Sequence, residues 1–194
     1  VIMNSRELLK QLLEQNQEII AQVKQNYLHL STELLSTKPE PKKWSLNEIF
    51  EHLNMANEPY LNSLRKELSA QKLPKYNAEF KSGFLGNLFT RLLEPKKGTV
   101  KNKMKAPSFL DPSKTGQNNM ALEKYLTLML ELNEMILQAQ KTDLEKIRIP
   151  FSLTPLIRFK MGDVFRFLTA HSQRHLIQAQ KTYAQISKQS FKSS

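Results

Sequence analysis

Four stretches of this chain repeat apolar residues at three- and four-residue steps, and that periodicity limits the fold more than any other feature. In the first, Leu8, Leu12, Ile19, Val23, Tyr27, Leu30 and Leu34 lie on one side of a helix predicted over residues 4–35. The second, residues 45–69, carries Leu46, Ile49, Phe50, Leu53, Tyr60, Leu64 and Leu68. It opens with Ser45-Leu-Asn-Glu48, a capping box in which hydroxyl and carboxylate satisfy backbone N–H groups of the first turn. Trp44 precedes the cap, placed to staple against Ile49 and read as a core anchor; Pro59 is expected to kink the helix further on. The third stripe, in residues 118–141, is Leu122, Leu126, Met129, Asn133 and Ile136, widened by Leu130 and Leu132. The fourth helix starts near 155 or 162, with Gly162-Asp163 as a break or cap, and ends near 188, before a frayed polar tail. With no strong strand signal, the expected class is all-α: a four-helix bundle.

Between the second and third stripes the pattern changes. Gly83, Gly86, Gly98 and Gly116, with Pro74, Pro95, Pro107 and Pro112, interrupt residues 70–117, leaving one short helix predicted at about 79–94. A connection this long suits a bundle with a long crossover between its second and third helices. Residues 147–155 read as an extended connector. At 194 residues, 40% of them hydrophobic, the chain suits a single domain over 1–194 with its core at about 5–188.

The chemistry concentrates in the histidines. His171 and His175 stand four residues apart on the stripe made by Val164, Leu168, Ala179 and Ile186, so both imidazoles face inward one turn apart; Arg166, Gln173 and Arg174 fall on the opposite side. Two neutral rings can sit in a core if their N–H groups find partners; two on adjacent turns can equally share an ion. His52, at the edge of the second apolar face, offers a third imidazole from a facing helix, whereas His29 reads as a surface residue. The chain has no cysteine, which excludes disulfides, thiolate-ligated zinc, iron–sulfur clusters and a cysteine nucleophile. Three imidazoles without an obvious carboxylate favour zinc, nickel, copper or ferrous iron over magnesium or calcium, and leave coordination positions open as catalytic sites do.

Two segments resemble the signatures of the DinB-like superfamily. Trp44-Ser-Leu-Asn-Glu-Ile-Phe-Glu-His52-Leu is similar to its W-S-x-x-E-x-x-x-H-L segment, and His171-Ser-Gln-Arg-His175 to its H-x-x-x-H on the last long helix. The segment Lys105-Ala-Pro-Ser-Phe-Leu-Asp-Pro-Ser resembles the proline-bearing loop before the third helix. The resemblance, over about residues 5–188, implies an up-down-down-up bundle, often dimeric, and a divalent metal, commonly zinc or nickel, held by His52, His171 and His175. Some members of that superfamily transfer low-molecular-weight thiols such as bacillithiol or mycothiol, others are described as metal-dependent hydrolases, and many have no known activity.

Three function classes follow. In an enzyme the metal activates a thiol or a water, with Glu48, one turn before His52, as a candidate outer-shell group or base in competition with its capping role. In a non-catalytic bundle the metal stabilises the fold and the surface binds a partner. The net charge of +11 admits a nucleic acid, an anionic membrane surface or an anionic small substrate, with the densest lysines at Lys96, Lys97, Lys101, Lys103 and Lys105. No nucleic-acid motif accompanies that charge, so nucleic acid is the unfavoured partner. No apolar run approaches the ~20 residues of a membrane span. Residues 1–6 do not read as a secretory leader, so a cytoplasmic protein is expected.

Overall fold

The computed structural model describes residues 1–70, 72, 74–96, 98–100, 105–116, 118–152 and 154–190, with Pro155 and Ser190 described by backbone alone. It is mostly helical. Four long helices, α1 (Ser5–Tyr27), α3 (Leu46–Leu68), α5 (Ala121–Ala139) and α6 (Met161–Ser190), are joined by the short α2 (Thr32–Ser36) and α4 (Phe84–Leu93). Two small sheets accompany them: β1 (Ile2–Asn4) pairs with β2 (Glu79–Lys81), and β3 (Arg148–Phe151) with β4 (Thr154–Lys160), both antiparallel.

Both α1 and α3 pack against both α5 and α6, and the most extensive contact is between α3 and α5. Aromatic rings tie the four together. Tyr27 of α1 meets Phe50 of α3 at 5.6 Å between centroids and Tyr183 of α6 at 5.9 Å, and Phe50 meets Tyr125 of α5 at 5.3 Å. Edge and tilted contacts of this kind add to the burial of large apolar area. A buried hydrogen bond from the Thr169 hydroxyl to Asn16 Oδ1, 3.1 Å, links α6 to α1.

Several predicted elements end differently. The first helix stops at Tyr27, because Ser31 starts a separate α2 by accepting the Leu34 N–H at 3.2 Å. The predicted helix at 79–94 is a strand and then a helix. Phe80, paired with Met3, points inward and is fully buried, and α4 begins only after Gly83. The connector at 147–155 is the start of a hairpin, in which Ile149, Phe151 and Phe159 face the core. The all-α expectation therefore misses two short ribbons, whose alternation is only a few residues long. Leu130, placed on the third stripe, is exposed. The fourth helix runs on to Ser190; residues 191–194 of the polar tail, and Lys97, Lys101 and Lys103 of the lysine cluster, lie outside the described residues.

The minor elements matter because they fasten the N-terminal end of α6. Asp163, with no exposed surface, accepts hydrogen bonds from the Ser82 hydroxyl, from the Gly83 N–H at 2.8 Å and from Arg166 at 3.4 Å. A Cβ at Gly86 would lie 2.6 Å from the Asp163 side chain, and one at Gly162 2.7 Å from the Phe80 ring. Glycine is required at both positions by close approach, and the helix that carries His171 and His175 is held against α4 and β2 as a result.

Candidate metal centre

His52 reaches the site from α3, whose start is set by the capping box. The Ser45 hydroxyl accepts from the Glu48 N–H at 3.2 Å, and the Glu48 carboxylate accepts from the Ser45 N–H at 2.8 Å. The other Glu48 oxygen accepts from Lys38 at 2.7 Å. Both oxygens of this carboxylate, a candidate base by its spacing from His52, are thus engaged, one in capping the helix and the other in an ion pair with Lys38. His171 and His175 reach the site from consecutive turns of α6.

The three rings meet. Centroids are 5.3 Å apart for His52 and His171, 4.6 Å for His52 and His175, and 4.6 Å for His171 and His175. One nitrogen from each lies within 4.8 Å of the others, an arrangement that can hold a metal ion. All three residues are at most 9% exposed. His29, by contrast, is exposed on the link between α1 and α2.

Hydrogen bonds orient two of the rings. His52 Nδ1–H donates to the Leu110 carbonyl at 2.8 Å, and His175 Nδ1–H donates to the Gln178 amide oxygen at 2.9 Å. Each acceptor holds the proton on Nδ1 and leaves Nε2 with its lone pair, the arrangement usual around metal-binding imidazoles. His171 Nδ1 is buried without a hydrogen-bond partner, a position that costs free energy unless another group satisfies it. The donor set and this orphaned nitrogen fit a divalent ion that prefers imidazole.

Electrostatics keep the rings neutral. Burial lowers the pKa of His52, opposed by the Leu110 carbonyl and by Asp111. Burial, then His175, His52 and Arg174, pushes His171 well below the ordinary imidazole range. Burial and the proximity of His52 push His175 down to about 3, with Gln178 opposing and Arg174 adding. Imidazoles that refuse protons at neutral pH are available as ligands.

Several residues of the site were not assigned to it from sequence. Trp44, read as a core anchor, lies with its ring 5.0 Å from His52 and 6.5 Å from His175. Phe167 stacks on His171 at 6.0 Å and 14°, and continues into Phe151 and Phe159 of the hairpin. Asp111 accepts from the Ser113 N–H and hydroxyl, and the Ser113 hydroxyl leads the contributions, with the Trp44 side chain the smallest, that hold its carboxyl below the usual range. Arg174, assigned by phase to the outer face, is only 8% exposed, and its charge reaches both α6 histidines. Of the two partners that orient the rings, Gln178 had a readable signal, since position i+3 from His175 lies on the neighbouring turn. Leu110 had none, because its backbone carbonyl is the group that acts.

A mostly helical protein with three buried imidazoles, drawn from two helices and able to hold a metal, is the class that fold and site define. The chain belongs to the DinB superfamily, whose family model matches residues 12–179 and so spans all three histidines. Searches of curated proteins and of solved structures find no match. No helix among the described residues is long and apolar enough to cross a membrane.

Proposed function

We propose that this chain binds a divalent metal, zinc or nickel, through His52, His171 and His175, and uses it to transfer a low-molecular-weight thiol to an electrophile. The observation that carries the reading is the convergence of three neutral, buried imidazoles, two of them oriented through Nδ1 by Leu110 and Gln178. A divalent ion at such a site lowers the pKa of a thiol or water that approaches it. The chain's own residues prepare the reaction. Trp44 and Phe167 cover ring faces and exclude water, Leu110 and Gln178 hold ring orientation, and Arg174 supplies fixed positive charge near an anionic substrate. Glu48 is left out of the chemistry, since one of its oxygens caps the helix and the other pairs with Lys38. We further read the four long helices as an up-down-down-up bundle forming one domain over 1–194, consistent with α1 and α3 each packing on α5 and α6.

Elemental analysis of the purified protein tests the site, with about one zinc or nickel per chain expected and loss in H52A and H171A. Thiol conjugation to an electrophilic dye, measured before and after chelation and after reloading, tests the activity. Protein without bound metal that also fails to take up added zinc would refute the site. Metal-loaded protein that hydrolyses esters or amides but conjugates no thiol would replace transfer with hydrolysis.

A further inference from the structure

The short helix α4 turns its apolar side to solvent. In 100° steps, Arg91, Phe84, Leu88, Leu92 and Leu85 occupy one arc, while Gly86, Phe89, Thr90 and Leu93 occupy the opposite arc, toward α6 and the hairpin. The inward arc is set by close packing. Gly86 lies against Asp163, buried Thr90 returns its hydroxyl to the Gly86 carbonyl at 2.8 Å, and Phe89 packs 5.0 Å from Phe151. The outward arc is left bare: Phe84 is 83% exposed, Leu88 42% and Leu85 37%. Arg91, exposed, lies on the same arc, and two further exposed cations flank the helix in the chain, Lys81 before it and Lys96 after it. Glu94 lies off that arc, 4.0 Å from Arg166.

We propose that this face of α4 docks the protein on an anionic lipid surface. Phe84, Leu85 and Leu88 enter the boundary between headgroups and acyl chains, and Lys81, Arg91 and Lys96 meet the lipid phosphates. A helix lying in the plane of the interface gains from buried apolar area and from attraction to anionic headgroups together, and α4 presents Phe84, Leu85 and Leu88 on one arc with Arg91. Charge argues against a second copy as the occupant. Two chains of net charge +11 would bring the same cations together across the contact. Single-stranded nucleic acid would stack on Phe84 but leave Leu85 and Leu88 without a role.

The test is co-sedimentation of the full chain with phosphatidylcholine vesicles, with and without phosphatidylglycerol. Binding is expected on the anionic vesicles and should fall as salt is raised. The double variant F84S/L88S should partition about tenfold more weakly or worse. Circular dichroism should be unchanged, because Phe84 is mostly exposed and Leu88 partly so, and neither belongs to the buried core. R91E/K96E should lose the preference for anionic vesicles. Absence of binding to anionic vesicles overturns the proposal, as does equal binding by F84S/L88S. Light scattering that shows a dimer split by F84S/L88S, without vesicle binding, would assign the face to a second copy instead.

Discussion

Replacing Gln178 by leucine isolates one orienting contact of the proposed centre. Gln178 is half-buried, so the substitution leaves no large cavity, and the residue reaches the site only through its amide oxygen, 2.9 Å from His175 Nδ1. Without that acceptor the ring loses both the fixed position of its proton and the contact that raises its basicity, since Gln178 opposes the fall in its pKa. Loss of such an outer partner typically weakens metal binding by 10–100-fold, or about 1.4–2.7 kcal/mol. Q178L should therefore bind zinc one to two orders of magnitude more weakly than the parent in competition with a chromophoric chelator, and unfold at nearly the same temperature when metal-free. H175A, which removes the ligand itself, should bind more weakly still. Unchanged zinc affinity in Q178L would refute the orienting role, and unchanged affinity in H175A would remove His175 from the ligand set.

The remaining predictions concern pH, packing and spectroscopy. The metal-free protein should be most stable above about pH 6.5 and lose stability as pH falls, because the unfolded chain takes up protons that the lowered pKa values of His52, His171 and His175 refuse in the fold; for His175 the window extends down to about 3. For His175, whose window is wide, the slope approaches about 1.4 kcal/mol per pH unit, and urea titrations between pH 7 and 5 that show no loss would contradict it. Gly86→Ala forces a Cβ onto Asp163 and should cost about 1–3 kcal/mol in denaturant unfolding, whereas an unchanged midpoint would show that α4 is not clamped to α6. Trp44 is the chain's one tryptophan and stands 5.0 Å from His52, so titration with Cu²⁺ or Ni²⁺ should quench its fluorescence saturably in the parent and not in H52A.

The helical half of the fold was readable because its determinants are local. The capping box Ser45–Glu48 forms as its spacing requires, and the three- and four-residue steps mark α3, α5 and α6 closely. The strands were harder. Three residues of β2 carry too little alternation to outweigh the helical pattern after them, and Phe80 becomes a strand residue because Met3 pairs with it and Gly162 makes room for its ring. The site divides in the same way. Helical phase turned His171 and His175 inward, since that depends on four residues of chain. Phase could not say that Arg174 would be covered, because that depends on what packs over the other side of α6.

What the sequence determined by itself was therefore the four long helices, the start of α3, the three imidazoles on offer and the membership of a family. Tertiary structure alone decided that these imidazoles share one point, that the carbonyl of Leu110, 58 residues from His52, orients one of them, and that α4 leaves Phe84 in water. The physical reason is range. Capping and periodicity act over a single turn, whereas burial, the pKa shifts it causes and the direction of a lone pair depend on groups that only the folded chain brings together.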